Sequence, residues 1–322
     1  MTATGPSPRI RTVLGDIPPA ELGTCDAHDH LFLRSPRLPG QELDDVAAAE
    51  AELRAFAALG GSALVQWTPA GMGRRADALP ALSRATGVHL VAATGLHQAH
   101  HYAPELLPGL TDRLTERLVT DVTEGVRPGG GGPGPAAGRR LDVRAGLVKV
   151  AGSFHGLDAH ARHTFAAAAQ AHHATGVPIA VHLEAGTAPG EVLELLCDRH
   201  GVPPHRVILG HLGRLPDVRL HLAAARSGAF LAFDGPSRAH HTTDWRLFDS
   251  LHALTEAGHA DRLLLGGDTT VASARAVTGE GPGLPYLLAG LRPRVEKELG
   301  QEAARAFFEA NPARAFAVPW QE

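Results

Sequence analysis

The sequence predicts an α/β fold, a closed (β/α)8 TIM barrel, and three observations carry that expectation. Eight short apolar runs each lead into a segment of helical pattern, the rhythm of a parallel barrel. The length of 322 residues suits one such barrel, which takes roughly 250 residues plus additions. The turn after the first run holds His28-Asp29-His30, where a doubly wound open sheet would carry a phosphate-binding glycine pattern.

The elements follow in order. Residues 1–9 read as a loose tail, and residues 10–14 with Gly15-Asp16-Ile17-Pro18 as a short strand and hairpin ahead of the barrel. Barrel strands are expected at residues 24–28, 62–67, 88–93, 143–150, 178–182, 206–209, 228–233 and 262–266. Helices are expected at residues 43–59, 74–86, 104–123, 159–175, 191–199, 216–226 and 244–257, with more helix at the C-terminus. Gly60-Gly61, Gly87 and Gly176 are the stop signals of three of them. One segment breaks the rhythm. Residues 127–138 contain four consecutive glycines and three prolines, too little apolar surface to offset the entropy of ordering, so a mobile loop is expected on the bottom face. His172-His173 are expected on the outer surface without a role. The chain as a whole, residues 1–322, reads as a single domain.

Composition narrows the function. An apolar content of 44% and a charged content of 20% describe an ordinary globular protein with a sizeable core. A net charge of −4 gives no reason to expect nucleic acid or an anionic membrane as partner. The N-terminus lacks a basic start and an apolar run, and no apolar stretch reaches about 18 residues, so neither a signal peptide nor a membrane span is expected. Cys25 and Cys197 make no disulfide framework, which fits a cytoplasmic location.

Strands of a parallel barrel are buried, so polar residues at their C-terminal ends stand out. His28 and His30 lie two apart after the first strand, where extended backbone points both imidazoles the same way. Lys149 sits in the fourth strand, His182 ends the fifth, His211 the sixth and Asp268 the eighth. In such barrels catalytic residues come from the C-terminal ends of several strands. A lysine in an apolar strand is the hardest of these to explain structurally, because buried lysine is rare unless paired or shifted in pKa. Asp29, between the two histidines, points away from them by the strand period and is given a supporting role.

These residues carry a resemblance that runs from Ile10 to Phe316. Ala27-His28-Asp29-His30-Leu31, Val88 to Gly95, Arg144 to Ala151, Gly176-Val177-Pro178, Arg206 to His211 and Asn311-Pro312-Ala313-Arg314 together resemble the phosphotriesterase-like branch of the amidohydrolase superfamily. The resemblance implies a binuclear site. His28, His30 and Asp268 would hold the more buried ion, His182 and His211 the more exposed one, and a carboxylated Lys149 would span both. Imidazole and carboxylate suit zinc first, with cobalt, iron or manganese as alternatives. A bridging hydroxide would then attack a lactone or carboxylic ester carbonyl, with Asp268 taking the proton and Asp234 as relay or substrate contact. A turn-forming role for Asp234 before Gly235-Pro236 is the structural alternative. The alternative reactions are phosphotriester or amide hydrolysis at the same site, and a barrel that binds metal and ligand without turnover is the third reading.

The substrate is expected to be a small molecule chosen by the loops after the strands. The loops at residues 94–102, 235–241 and 269–285 bring His97, His100, Tyr102 and Arg238, and Arg246 follows the second of them. His97, Tyr102, Arg238 and Arg246 are the expected substrate contacts, and their polarity favours an anionic substrate. Members of the family that act on lactones often carry a tyrosine soon after Thr-Gly of the third strand, where this chain has Leu96-His97 and its nearest tyrosine is Tyr102. That departure weakens a lactonase assignment. The resemblance also implies a homodimer.

Overall fold

The computed structural model describes residues 6–128, 139–234 and 241–320, with residues 241 and 242 as backbone only. The expected mobility of the glycine-rich loop falls on residues 129–138, which lie outside the described residues, as do residues 1–5 of the expected tail.

Two short strands, β1 (Arg9–Thr12) and β2 (Gly15–Ile17), form an antiparallel hairpin that opens the chain. Eight parallel strands follow: β3 (Cys25–Asp29), β4 (Ala63–Gln66), β5 (His89–Gly95), β6 (Leu147–Ala151), β7 (Ile179–His182), β8 (Val207–Gly210), β9 (Phe230–Asp234) and β10 (Leu263–Gly266). They pair in sequence order from β3 to β10, so every crossover joins spatial neighbours, as a barrel requires. A last short strand, β11 (Ala317–Val318), pairs with β1 through Arg9 and Val318. This small sheet lies under the barrel, where Val13 N donates to Leu90 O at 2.8 Å near the start of β5.

Alternation along each strand divides the core in two. Ala27, Val65, Trp67, Ala93, Leu147, Ala180, Ile208 and Leu264 fill the barrel interior. Their neighbours Leu64, Ala92, Val148, Val181, Leu209 and Leu265 face the surrounding helices. A barrel this narrow is packed solid, so only its mouth is left for chemistry.

Between β10 and β3 the regular ladder gives way to a seam of a different kind. Asp268 N donates to His28 O at 3.0 Å. Gly267 N donates to Asp26 Oδ1 at 3.3 Å, and Thr269 N to Asp29 Oδ1 at 2.8 Å. Asp29 Oδ1 also accepts from His30 N at 2.7 Å. Two buried carboxylates thus join the last strand to the first. A side chain at Gly267 would collide with the Asp29 carboxylate, which is why this turn takes glycine. Burial and the neighbouring Asp29 raise the Asp26 carboxyl well above its usual range.

Several elements differ from the expectation. The fourth barrel strand begins at Leu147 rather than residue 143. Residues before it run beside the preceding helix instead, with Val126 N on Val143 O and Ala145 N on Asp121 O. The expected helix at 104–123 is two, Leu107–Thr111 and Leu114–Thr123, broken where Arg113 turns left-handed at φ 49°. The helix expected from residue 74 starts at Leu79, after another left-handed residue, Arg75. His172 is a correction. It is buried within the helix Ala159–Thr175, and its Nδ1 binds Val177 O at 2.8 Å, closing the turn into β7.

Candidate metal centre

At the barrel mouth, the C-terminal ends of β3, β6, β7, β8, β9 and β10 bring His28, His30, Lys149, His182, His211, Asp234 and Asp268 together, all of them buried. Two of these residues need strained backbone to get there. His211 has φ 64° and Asp268 φ 49°, a region that costs of order 1–3 kcal/mol for a residue with a side chain. His211 is the first residue beyond β8 and Asp268 the second beyond β10, so each left-handed turn comes where the strand has just ended.

His28 is the middle of the arrangement. Its ring stacks on Trp67 at 3.7 Å between centroids and 18° between planes, while Trp67 Nε1 donates to Ala27 O at 2.8 Å. The imidazole is thus fixed from below by a fully buried side chain. His28 Nδ1 lies 2.7 Å from Asp234 Oδ1, and His28 Nε2 lies 3.4 Å from Asp268 Oδ1. Neither ring nitrogen nor Asp234 Oδ1 makes a hydrogen bond. Close donor atoms that are buried and not aimed at one another are what an ion would reconcile.

His30 has a determined tautomer. Thr68 Oγ1 donates to Phe32 O at 2.6 Å, so its lone pair receives the proton of His30 Nδ1 at 2.7 Å. His30 Nε2 is left with its lone pair, 3.4 Å from Asp268 Oδ1. His28, His30 and Asp268 present donor atoms within 4.8 Å of one another, and so do His28, His211 and Asp234. Of these sets, the first is the one the resemblance implies. The second is new, because Asp234 bridges His28 and His211, its Oδ2 in close contact with His211 Nδ1. Residues 235 and 236, on which the turn-forming alternative for Asp234 rests, lie outside the described residues. His182 meets His211 ring to ring at 4.3 Å.

Electrostatics follow from burial. Burial pushes the Lys149 amine down to about 7, offset in part by Asp268, so a sizeable fraction is neutral at physiological pH. Among the described residues no carboxylate lies within ion-pair distance of that amine. Burial and the Arg214 charge bring His211 down to about 3, and burial holds His30 and His182 below their ordinary range. The His211 and His28 rings overcome the effect of burial on Asp234 and keep its carboxylate ionised. Neutral imidazoles and ionised carboxylates are the forms that ligate metal, so the donor set fits divalent ions.

The cavity above this floor has a volume of about 450 Å³. Leu33, Leu38 and Met72 form an apolar side, and His97, His101, Glu184 and Arg214 a polar one. Of the expected substrate contacts, His97 lines the cavity. Tyr102 lies behind it, its hydroxyl accepting from His97 N at 2.7 Å. Arg246 pairs with Asp249 at 2.8 Å beside Trp245 and is not part of the lining. Arg238 and residues 235–240 of its loop lie outside the described residues. Three residues that sequence reasoning missed are here: Arg214, with Nη2 2.7 Å from Asp268 Oδ2, Glu184 beside His182, and His101 on Ser35 Oγ at 3.0 Å. The Gly210-His211-Leu212-Gly213-Arg214 turn was the available signal for Arg214, since a strand-end loop so short keeps its polar residue near the axis.

An eight-stranded barrel with imidazoles, carboxylates and a lysine converging at its mouth defines the class of metal-dependent barrel hydrolases. The model of the phosphotriesterase family matches residues 8–316. A phospho-furanose lactonase of Mycoplasmopsis agalactiae is 30% identical over 250 residues, covering 74% of this chain and 70% of that one. The crystal structure of a lactonase from Listeria monocytogenes superposes with a TM-score of 0.85 at 30% identity, covering 96% of this chain and 98% of that one. An organophosphorus hydrolase from Deinococcus radiodurans superposes at 0.79 with 27% identity over 98% of this chain and 100% of that one. The chain belongs to the phosphotriesterase family, and it is a hydrolase.

Proposed function

We propose that the protein hydrolyses the carbonyl ester of a lactone or carboxylic ester at a centre of two divalent ions. The observation that carries this reading is a buried lysine, its amine pushed down to about 7, among four imidazoles and two carboxylates at one barrel mouth. His28, His30 and Asp268 would hold one ion and His182 and His211 the other. Lys149, carboxylated by carbon dioxide on its neutral amine, would reach both. Zinc is the first choice by donor chemistry, with cobalt, iron or manganese as alternatives. When bound, two such ions supply Lewis acidity and lower the pKa of water toward about 7.

The chain's own residues do the rest. Water adds to the acyl carbon, the ring or ester C–O bond breaks, and one proton must pass from the water to the departing oxygen. Asp268 would hold that proton, with Arg214 on its second oxygen steadying the carboxylate and its negative charge. Asp234, with its Oδ2 on His211 Nδ1, orients His211. The apolar side formed by Leu33, Leu38 and Met72 keeps water from the departing group. His97 is the proposed contact for polar groups of the substrate, with Tyr102 bracing its backbone and Arg238 as a further candidate. A small, anionic substrate is proposed because Arg214 supplies positive charge at the cavity wall, and the named relatives make phosphorylated sugar lactones the first to try. Cytoplasmic location and a homodimer complete the reading.

The test is metal content by mass spectrometry together with a panel of sugar lactones, phosphorylated sugar lactones, acyl lactones and an aryl phosphotriester at neutral pH. Two ions per chain and turnover of a lactone are expected. Protein that binds no divalent ion, or that carries two and turns over only the phosphotriester, overturns the reading.

A further inference from the structure

Glu184 stands next to His182, yet no part of the reaction above uses it. β7 ends at His182, and the chain then turns sharply through Glu184, Ala185 and Gly186, with Ala185 left-handed at φ 50°. That turn folds the Glu184 side chain back over the strand end it has just left. Its Oε2 lies 2.9 Å from His182 Nε2 in hydrogen-bond geometry, and the same oxygen accepts from Gln98 Nε2 at 3.0 Å. The Gln98 amide donates in addition to Gly152 O at 2.7 Å. The carboxylate is thereby anchored to the loops after β5 and β6, well beyond its own turn. His28 offers the contrast. Its Nδ1 is nearer to a carboxylate oxygen, at 2.7 Å from Asp234 Oδ1, but neither atom makes a hydrogen bond. One carboxylate lies along a ring N–H, and the other is aimed past it.

We propose that Glu184 is a positioning residue for His182, taking the proton of Nε2 so that Nδ1 keeps the lone pair for a divalent ion. An imidazole that binds metal through one nitrogen needs the other fixed by an acceptor, which sets both tautomer and ring orientation. The other ring neighbours of His182, His97 at 4.5 Å and His211 at 4.3 Å between centroids, contribute packing without a hydrogen bond. Gln98 acts one step further out by holding Oε2 in place. The proposal rests on reading His182 as a ligand of one ion.

Chelator-stripped protein titrated with cobalt(II) tests it, with the visible spectrum and competition by a chelating dye as readouts. Glu184→Ala is expected to weaken one of the two ions by roughly 10–100-fold, to change the band of that ion, and to leave the other unchanged. Glu184→Asp should recover most of the affinity, and Glu184→Gln, close in shape, guards against a folding defect. The melting temperature of the stripped protein should stay near wild type in all three. His182→Ala should lose the same ion. If His182→Ala loses an ion while the Glu184 variants bind both with wild-type affinity and spectrum, the role of Glu184 is overturned and the ligand assignment stands. If His182→Ala retains both ions, the ligand assignment fails and takes this inference with it.

Discussion

Asp268 faces two partners at once: the donor atoms of His28 and His30 on one oxygen and the Arg214 guanidinium on the other. Asp268→Asn keeps the shape and removes the charge, so turnover should fall by roughly 10²–10⁴-fold, measured as kcat at saturating metal. Arg214→Met should lower kcat less and raise KM for a phosphorylated lactone more than for a neutral one; equal effects on the two substrates would remove its role with anions. His101 gives a pH signature. Burial and its histidine neighbour bring the ring from 6.5 down to about 4. The unfolded chain therefore takes up a proton that the folded one refuses between those values, and stability falls as the pH drops through that window. Thermal melts of the metal-free protein from pH 7 to 4 should show it, and His101→Phe should flatten the dependence. At this scale the strand-end histidines and Asp268 were legible because a polar residue in a buried strand has few reasons to be there. Arg214, Glu184 and His101 were not, since they reach the mouth from loops whose course a sequence does not reveal.

The loop after β10, named from sequence among the loops that choose the substrate, is a pinned element. Glu52, buried on the helix Val46–Ala58, accepts from Val277 N at 2.7 Å and Leu284 N at 2.9 Å. Arg275 reaches from the same loop to Leu31 O and to Asp45 O. The loop is held against the first helix and the segment after β3, and its Thr270 lines the cavity. Glu52→Ala leaves the buried amide of Leu284 unsatisfied and frees the half-buried one of Val277, and should cost about 1–3 kcal/mol, read by chemical denaturation, with faster amide exchange confined to residues 274–284. Unchanged exchange there would mean that the loop is held by packing alone. The strands were legible as elements because each is a short apolar run between turn signals, and they lie within two residues of expectation apart from the start of β6. The broken helices were not, because single left-handed residues such as Arg75 and Arg113 carry no glycine to announce them.

Across the whole molecule the barrel was predicted by order alone: strand and helix alternating with the donors at strand ends. What order could not show is where the cylinder joins, and the seam between β10 and β3 turns out to pass through the proposed centre. Ions held there by His28, His30 and Asp268 would tie the first barrel strand to the last. Removing them should lower the melting temperature, by the equivalent of about 2.7 kcal/mol for each ion present at a hundredfold excess over its Kd. Calorimetry before and after chelation measures this. Asp29 and Thr269, which close the seam, are 240 residues apart. That separation has a consequence in time. During synthesis the His28-Asp29-His30 segment is made early and waits through seven crossovers for its partners, so the proposed ion site cannot form until Asp268 has been made. Long-range closure of this kind is slow, and a nascent chain stalled before Gly267 would hold both histidines and still be unable to retain the buried ion.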